Sequence, residues 1–147
     1  MLIAEPPTSK PMRPVVIDTN CLVQIISKHC PYRPIWDAFL NRRFTLCVSN
    51  EILEEYQEVI EKNTTPEIAE NVVLLIFNQH NVRYVDPHFR LRLITADPDD
   101  DKFVDCAFAA GADYIVSEDA HLNVLSQSPC PYIEVLSMAD FMRRLEE

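Results

Sequence analysis

A chain of 147 residues, 48% hydrophobic and 24% charged, has the size and composition of one globular domain, able to bury about 68–70% of the surface it exposes unfolded. Its only glycine, Gly111, excludes the glycine-rich loops of P-loop NTPases, Rossmann oxidoreductases and most lipase-like hydrolases, each of which needs several. Thirteen basic against 23 acidic residues give a net charge of −10, which argues against nonspecific nucleic-acid binding and leaves two uses for the acids: solubility, or a concentrated metal site.

Residues 1–13 are proline-rich and aperiodic and read as a flexible leader to a single domain over 14–147. Val15-Val16-Ile17 is a β-branched apolar run that fits a strand buried on both faces, and it ends at Asp18. Asn20 is placed to cap a helix through about Lys28, and Pro34 to open another through Asn41. A second strand is expected over Phe44–Val48, then a helix capped by Ser49 or Asn50 from Glu51 to about Lys62. Pro66 opens a helix ending near Gln79, and Val82–Val85 forms a third strand. Asp97-Pro98-Asp99-Asp100 is a strong helix start, with Gly111 as the C-cap. Tyr114–Val116 is a fourth strand, followed by a short helix after Asp119. Tyr132–Val135 is a fifth strand, and Ser137 caps the last helix. Strands alternate with helices throughout, which predicts an α/β fold: a three-layer α/β/α sandwich on a mostly parallel five-stranded sheet.

The longest aliphatic and aromatic run, Val72–Phe77, is far short of the roughly 20 residues that span a bilayer, and the N-terminus lacks the apolar core of a secretory signal. The five cysteines show no CxxC spacing and read as free thiols of a reducing, cytoplasmic compartment. The four histidines have no zinc spacing.

Open parallel sheets bind ligands at the carboxyl ends of their strands. Asp18 directly follows the first predicted strand, and Asp119 lies just past the fourth. On the helix from 51 to 62 the apolar stripe is Ile52, Leu53, Tyr56, Val59 and Ile60. At about 100° per residue, Glu54 and Glu58 lie roughly 160° from the stripe's centre and Glu51 and Glu61 roughly 140°. Glu55 lies about 100° away, on the border between core and solvent, and is the Glu best placed to lean over the sheet edge. On the helix after Pro98 the apolar face is Phe103, Val104, Ala107 and Phe108. Asp101 and Asp105 stack four apart on its flank, a like-charge pair that a cation would neutralise. Asp18, Glu55, Asp101 and Asp119 thus come from four segments, and carboxylates without His or Cys suit Mg²⁺ or Mn²⁺.

The chain resembles the PIN-domain family of metal-dependent nucleases, which includes many toxins of toxin–antitoxin pairs. The resemblance spans about residues 14–140. It rests on Val16-Ile17-Asp18-Thr19-Asn20, Ser49-Asn50-Glu51-Ile52-Leu53-Glu54-Glu55-Tyr56, Asp97-Pro98-Asp99-Asp100-Asp101-Lys102-Phe103 and Ala112-Asp113-Tyr114-Ile115-Val116-Ser117-Glu118-Asp119. It implies a sheet order of 3-2-1-4-5 and matches Asp18, Glu55, Asp101 and Asp119 to the family's acidic quartet. Asn20 and Ser117 match polar positions beside the quartet, and Asp100 or Asp105 is a further candidate beside Asp101.

The implied reaction is hydrolysis of RNA phosphodiester bonds with one or two Mg²⁺ or Mn²⁺ ions. Asp18 is the central ligand, Asp101 and Asp119 complete the shell, and Glu55 is either a ligand or the group that orients the water. Substrate contact falls to local basic groups, with Arg33, Arg42, Arg43, Lys62 and Lys102 as candidates. The implied partners are RNA, a small antitoxin protein and further copies of the chain. Two other classes compete. A phosphoacceptor receiver domain shares the layering but needs an acidic pair after the first strand and a Lys after the fifth, where this chain has Asp18-Thr19-Asn20 and Leu136-Ser137. A catalytically silent PIN fold serving as a protein-interaction module is the closer rival.

Overall fold

The computed structural model describes residues 12–86, 101–119, 122 and 133–147, with Asp101 described in its backbone only. The elements run β1 (Pro14–Ile17), α1 (Thr19–Ile25), α2 (Arg33–Leu40), β2 (Thr45–Val48), α3 (Asn50–Asn63), α4 (Pro66–Asn78), β3 (Val82–Tyr84), α5 (Asp101–Ala110), β4 (Tyr114–Val116), β5 (Glu134–Leu136) and α6 (Met138–Glu146). The sheet order is β3-β2-β1-β4-β5, and every pairing is parallel.

β1 is the central strand. Val15, Val16 and Ile17 are all buried, so both of its faces are covered although successive side chains point to opposite sides. The chain steps from β1 to β2 to β3 on one side, then crosses to β4 on the other. With right-handed crossovers this sets the α1–α2 and α3–α4 pairs on one face and α5 on the other. Phe44 packs edge-on against Phe141 of α6 with ring centroids 5.1 Å apart, and Phe39 of α2 lies 6.0 Å from Phe44, joining α2 and α6 over the sheet.

Local signals explain several helix ends. Ser49 caps α3 by accepting from the Ile52 amide (3.3 Å), Thr65 caps α4 from Ile68 (3.1 Å), and Ser137 caps α6 from Asp140 (3.1 Å). Gly111 ends α5 at φ +66°, the left-handed conformation that suits glycine at a helix C-terminus. Two expectations need correction. Asn20 does not cap α1: it is the second residue of that helix, and Asp18 occupies the cap position without a side-chain cap bond, its carboxylate being held by Ser117. Phe108 is not on the buried face of α5. It is 39% exposed, and Cys106 and Asp105 are buried in its place, so this face is rotated toward residues 103–107. Cys21, Cys30, Cys47 and Cys106 are free thiols.

Several sequence expectations lie outside the described residues: the leader up to residue 11, the helix start at Asp97–Asp100, the short helix after Asp119 except Leu122, Cys130, and the start of the fifth strand at Tyr132. No helix among the described residues is long and apolar enough to cross a membrane.

Candidate active site

Parallel pairing of β1 and β4 brings the ends of both strands together, because Ile17 is in register with Val116. The Asp18 amide continues the ladder, donating to the Val116 carbonyl at 2.9 Å. Asp18 therefore emerges at the crevice where the strand order reverses, and the segment Ser117–Asp119 leaves β4 beside it. Ser117 is buried and donates from Oγ to Asp18 Oδ2 at 2.8 Å, while its own oxygen accepts from the Asp119 amide at 3.0 Å. One serine thus fixes the Asp18 carboxylate and the backbone at Asp119. The Ser117 amide donates to Leu136 (2.9 Å), tying the segment to β5.

Glu55 arrives from α3. It is half-buried while Glu54 and Glu58 are exposed, the arrangement that helix periodicity requires when Ile52, Leu53, Tyr56 and Ile60 enter the core. Thr19 Oγ1 donates to Glu55 Oε2, and Lys102 Nζ of α5 stands 3.4 Å from Glu55 Oε1. Tyr56, the next residue on α3, is fully buried and donates its hydroxyl to the Ile17 carbonyl, which pins α3 to the last residue before Asp18.

Burial raises the Asp18 carboxyl above the usual carboxylate range, the Ser117 hydroxyl and Asn20 amide oppose that shift, and the negative charges of Glu55 and Asp119 add to it. Glu55 and Asp119 are therefore each close enough to Asp18 for their charges to act on it. Burial, then the Asp18 charge, pushes the Cys21 thiol up to about 12, so it is a neutral neighbour and not a thiolate donor.

The remaining sequence candidates are distributed as follows. Asp101 is the first described residue of α5, and its side chain lies outside the described residues, as does Asp100 entirely. Asp105 is buried, and its charge acts on the Cys106 thiol. Asn20 is exposed on α1. Arg33 is bound to Asp37 (3.1 Å) and the Ile26 carbonyl (2.7 Å), and Lys62 to Glu58 (3.1 Å). Arg42 and Arg43 lie before β2 and line a cavity of about 900 Å³ with Pro14, Tyr114 and Arg144, at the opposite end of the sheet from Asp18. This cavity is thus not where the acids meet. Of the basic candidates described, Lys102 reaches the acids.

Sequence reasoning did not single out Thr19. Its position directly after Asp18 in the first motif was the available signal, since one residue past a strand end places a hydroxyl on the same rim.

Among the described residues, no three His, Cys, Asp or Glu side chains form a group able to hold a metal ion. Among the described residues the donor chemistry nonetheless fits a hard divalent cation: the carboxylate of buried Asp18 feels the charges of half-buried Glu55 and Asp119, with no imidazole or thiolate among them.

The PIN-domain sequence profile matches residues 14–121. No curated protein matches the sequence. Among solved structures, the DNA-bound VapBC from Salmonella typhimurium is similar, with 18% identity, a TM-score of 0.58, and coverage of 86% of this chain and 99% of that one. VapBC2 from Rickettsia felis, bound to a DNA fragment from its promoter, is 19% identical with a TM-score of 0.57, covering 84% and 98%. The PIN domain endonuclease Utp24 is 17% identical with a TM-score of 0.50, covering 84% of each chain. A profile match over most of the chain, on a sheet of the same order and with acids at the ends of β1 and β4, establishes that the chain belongs to the PIN domain family.

Proposed function

We propose that this chain is a divalent-metal-dependent nuclease that hydrolyses RNA phosphodiester bonds, and that it acts as the toxin of a toxin–antitoxin pair. The observation that carries the reading is the convergence of Asp18, Glu55 and Asp119 from three separate segments on the crevice at the β1/β4 switch point. In this reading Asp18 and Asp119, with Asp101, hold Mg²⁺ or Mn²⁺. Glu55 is a further ligand or orients the attacking water, and Asn20, Ser117, Asp100 and Asp105 support them. When bound, the cation supplies a water of lowered pKa and stabilises charge on the phosphoryl oxygens. The chain's own contribution is preorganisation: Ser117 holds Asp18, Thr19 holds Glu55, and Tyr56 fixes the two backbones against each other.

The partners follow from the same reading. The likeness to the DNA-bound VapBC structures supports a small protein antitoxin for this chain, and the reading places it in the cytoplasm. Self-association is supported by α4, which exposes Ile68, Leu74, Leu75 and Phe77, the last at 67%.

A catalytically silent interaction module is favoured by one observation: both Glu55 oxygens are engaged by protein groups. Incubation of the purified chain with single-stranded RNA separates the readings. The nuclease cleaves with Mg²⁺ or Mn²⁺, stops on chelation, and is lost in Asp119→Asn. Intact RNA under all metal conditions supports the silent module, and chelator-insensitive cleavage surviving Asp119→Asn places the chemistry elsewhere.

A further inference from the structure

Lys102 lies on α5. A lysine on a helix surface ordinarily extends its ammonium into solvent. Here the side chain is only 14% exposed, and Nζ lies 3.4 Å from Glu55 Oε1, itself 29% exposed. The ammonium also stands 5.5 Å from the ring centroid of buried Phe103, so it is turned toward the protein interior. Burying it costs both solvation and side-chain entropy. Its ion pair with Glu55 offsets part of that cost, and Glu55 with Asp119 acts on buried Asp18.

Thr19 makes the contact directional. By donating to Glu55 Oε2 it fixes the carboxylate and leaves Oε1 to face α5. A single positive charge tethered to α5 then partly balances a site that carries several negative ones.

We propose that Lys102 is a built-in counter-ion that competes with the divalent cation for the negative charge at Glu55, so that it sets the metal affinity of the site. The inference rests on the metal-dependent reading above. In the metal-free protein the ammonium limits repulsion among the acids. Metal binding displaces it, because a divalent cation and an ammonium beside the same carboxylate repel each other. Lys102 is in this account a positioning residue and not a catalytic one.

The test is Mn²⁺ binding to the full chain, followed by the loss of the free-ion electron paramagnetic resonance signal, with metal-free melting temperatures measured in parallel. Lys102→Met keeps the apolar stem and removes the charge. It is expected to bind Mn²⁺ about tenfold more tightly than wild type and to melt lower without metal. Lys102→Arg is expected to restore both values toward wild type, which an effect of packing alone would not do, and Lys102→Gln supplies a second neutral variant if the Met variant does not fold. Unchanged or weaker Mn²⁺ binding in the neutral variants overturns the competition. Absence of Mn²⁺ binding in wild type and variants alike overturns the metal-dependent reading, and this proposal with it.

Discussion

Replacing Asp18 by Asn should stabilise the metal-free protein while removing its activity. Asp18 is 6% exposed, and burial together with the charges of Glu55 and Asp119 raises its carboxyl above the ordinary value. Two unit charges about 5 Å apart at an effective dielectric near 20 repel by about 3 kcal/mol before relaxation. Ser117, the Asn20 amide and Lys102 near Glu55 offset part of this. Asn retains an acceptor for the Ser117 hydroxyl, so the substitution removes charge without orphaning that donor. A net gain of about 1 kcal/mol corresponds to a rise of about 2–4 °C in Tm for a chain of this size. Because the folded carboxyl binds its proton more tightly than the unfolded one, the charge penalty is absent below the unfolded value near 3.8 and grows as pH rises through the folded value. Differential scanning calorimetry in chelator should therefore show the mutant above wild type at pH 7, with the gap closing toward pH 4. Mn²⁺ should raise the wild-type Tm and leave Asp18→Asn nearly unchanged. The exposed Glu54→Gln and Glu58→Gln variants should track wild type throughout. A mutant that melts below wild type at pH 7, or a gap independent of pH, refutes the reasoning.

Three further outcomes are expected. Tyr56→Phe removes a fully buried hydrogen bond to the Ile17 carbonyl and should cost about 1–2 kcal/mol, seen as a lower midpoint in urea at unchanged slope. Phe77→Asp should give a monomer in sedimentation velocity at tens of micromolar, where wild type is expected to self-associate. A wild type that is already monomeric rejects α4 as an interface. Cys30 should react fastest among the described thiols with an aromatic disulfide at pH 8, since Cys21, Cys47 and Cys106 are buried and their thiols raised, Cys47 to about 11.

What the sequence revealed follows from which forces act locally. Val15–Ile17 reads as a two-sided buried strand because its apolar run is uninterrupted, and Gly111 reads as a helix stop because it is the chain's one glycine, the residue best suited to φ +66°. Glu55 separates from its neighbouring acids by helix phase alone, and in the fold it is half-buried where Glu54 and Glu58 are exposed. The misplacements have tertiary causes. Phe108 completes an apolar pattern on α5, yet contact with β1, β2 and β4 selects the face through Asp105 and Cys106. Asn20 is a good cap in isolation, but the ladder bond from the Asp18 amide to Val116 sets the helix start two residues earlier. The inward turn of Lys102 depends on Glu55, 47 positions away, and no local rule carries it.

The central claim is that Asp18, Glu55 and Asp119 form a metal-dependent RNA-cleaving site. Single-turnover cleavage of a labelled single-stranded RNA with Mn²⁺ tests it most directly, comparing wild type with Asp18→Asn, Glu55→Gln, Asp119→Asn and the surface control Glu54→Gln. The account predicts cleavage by wild type and Glu54→Gln that chelation abolishes, and loss of about 100-fold or more in the three site variants, each correctly folded by calorimetry. Equal rates across the five proteins, or no cleavage by folded wild type at millimolar Mn²⁺, would contradict it.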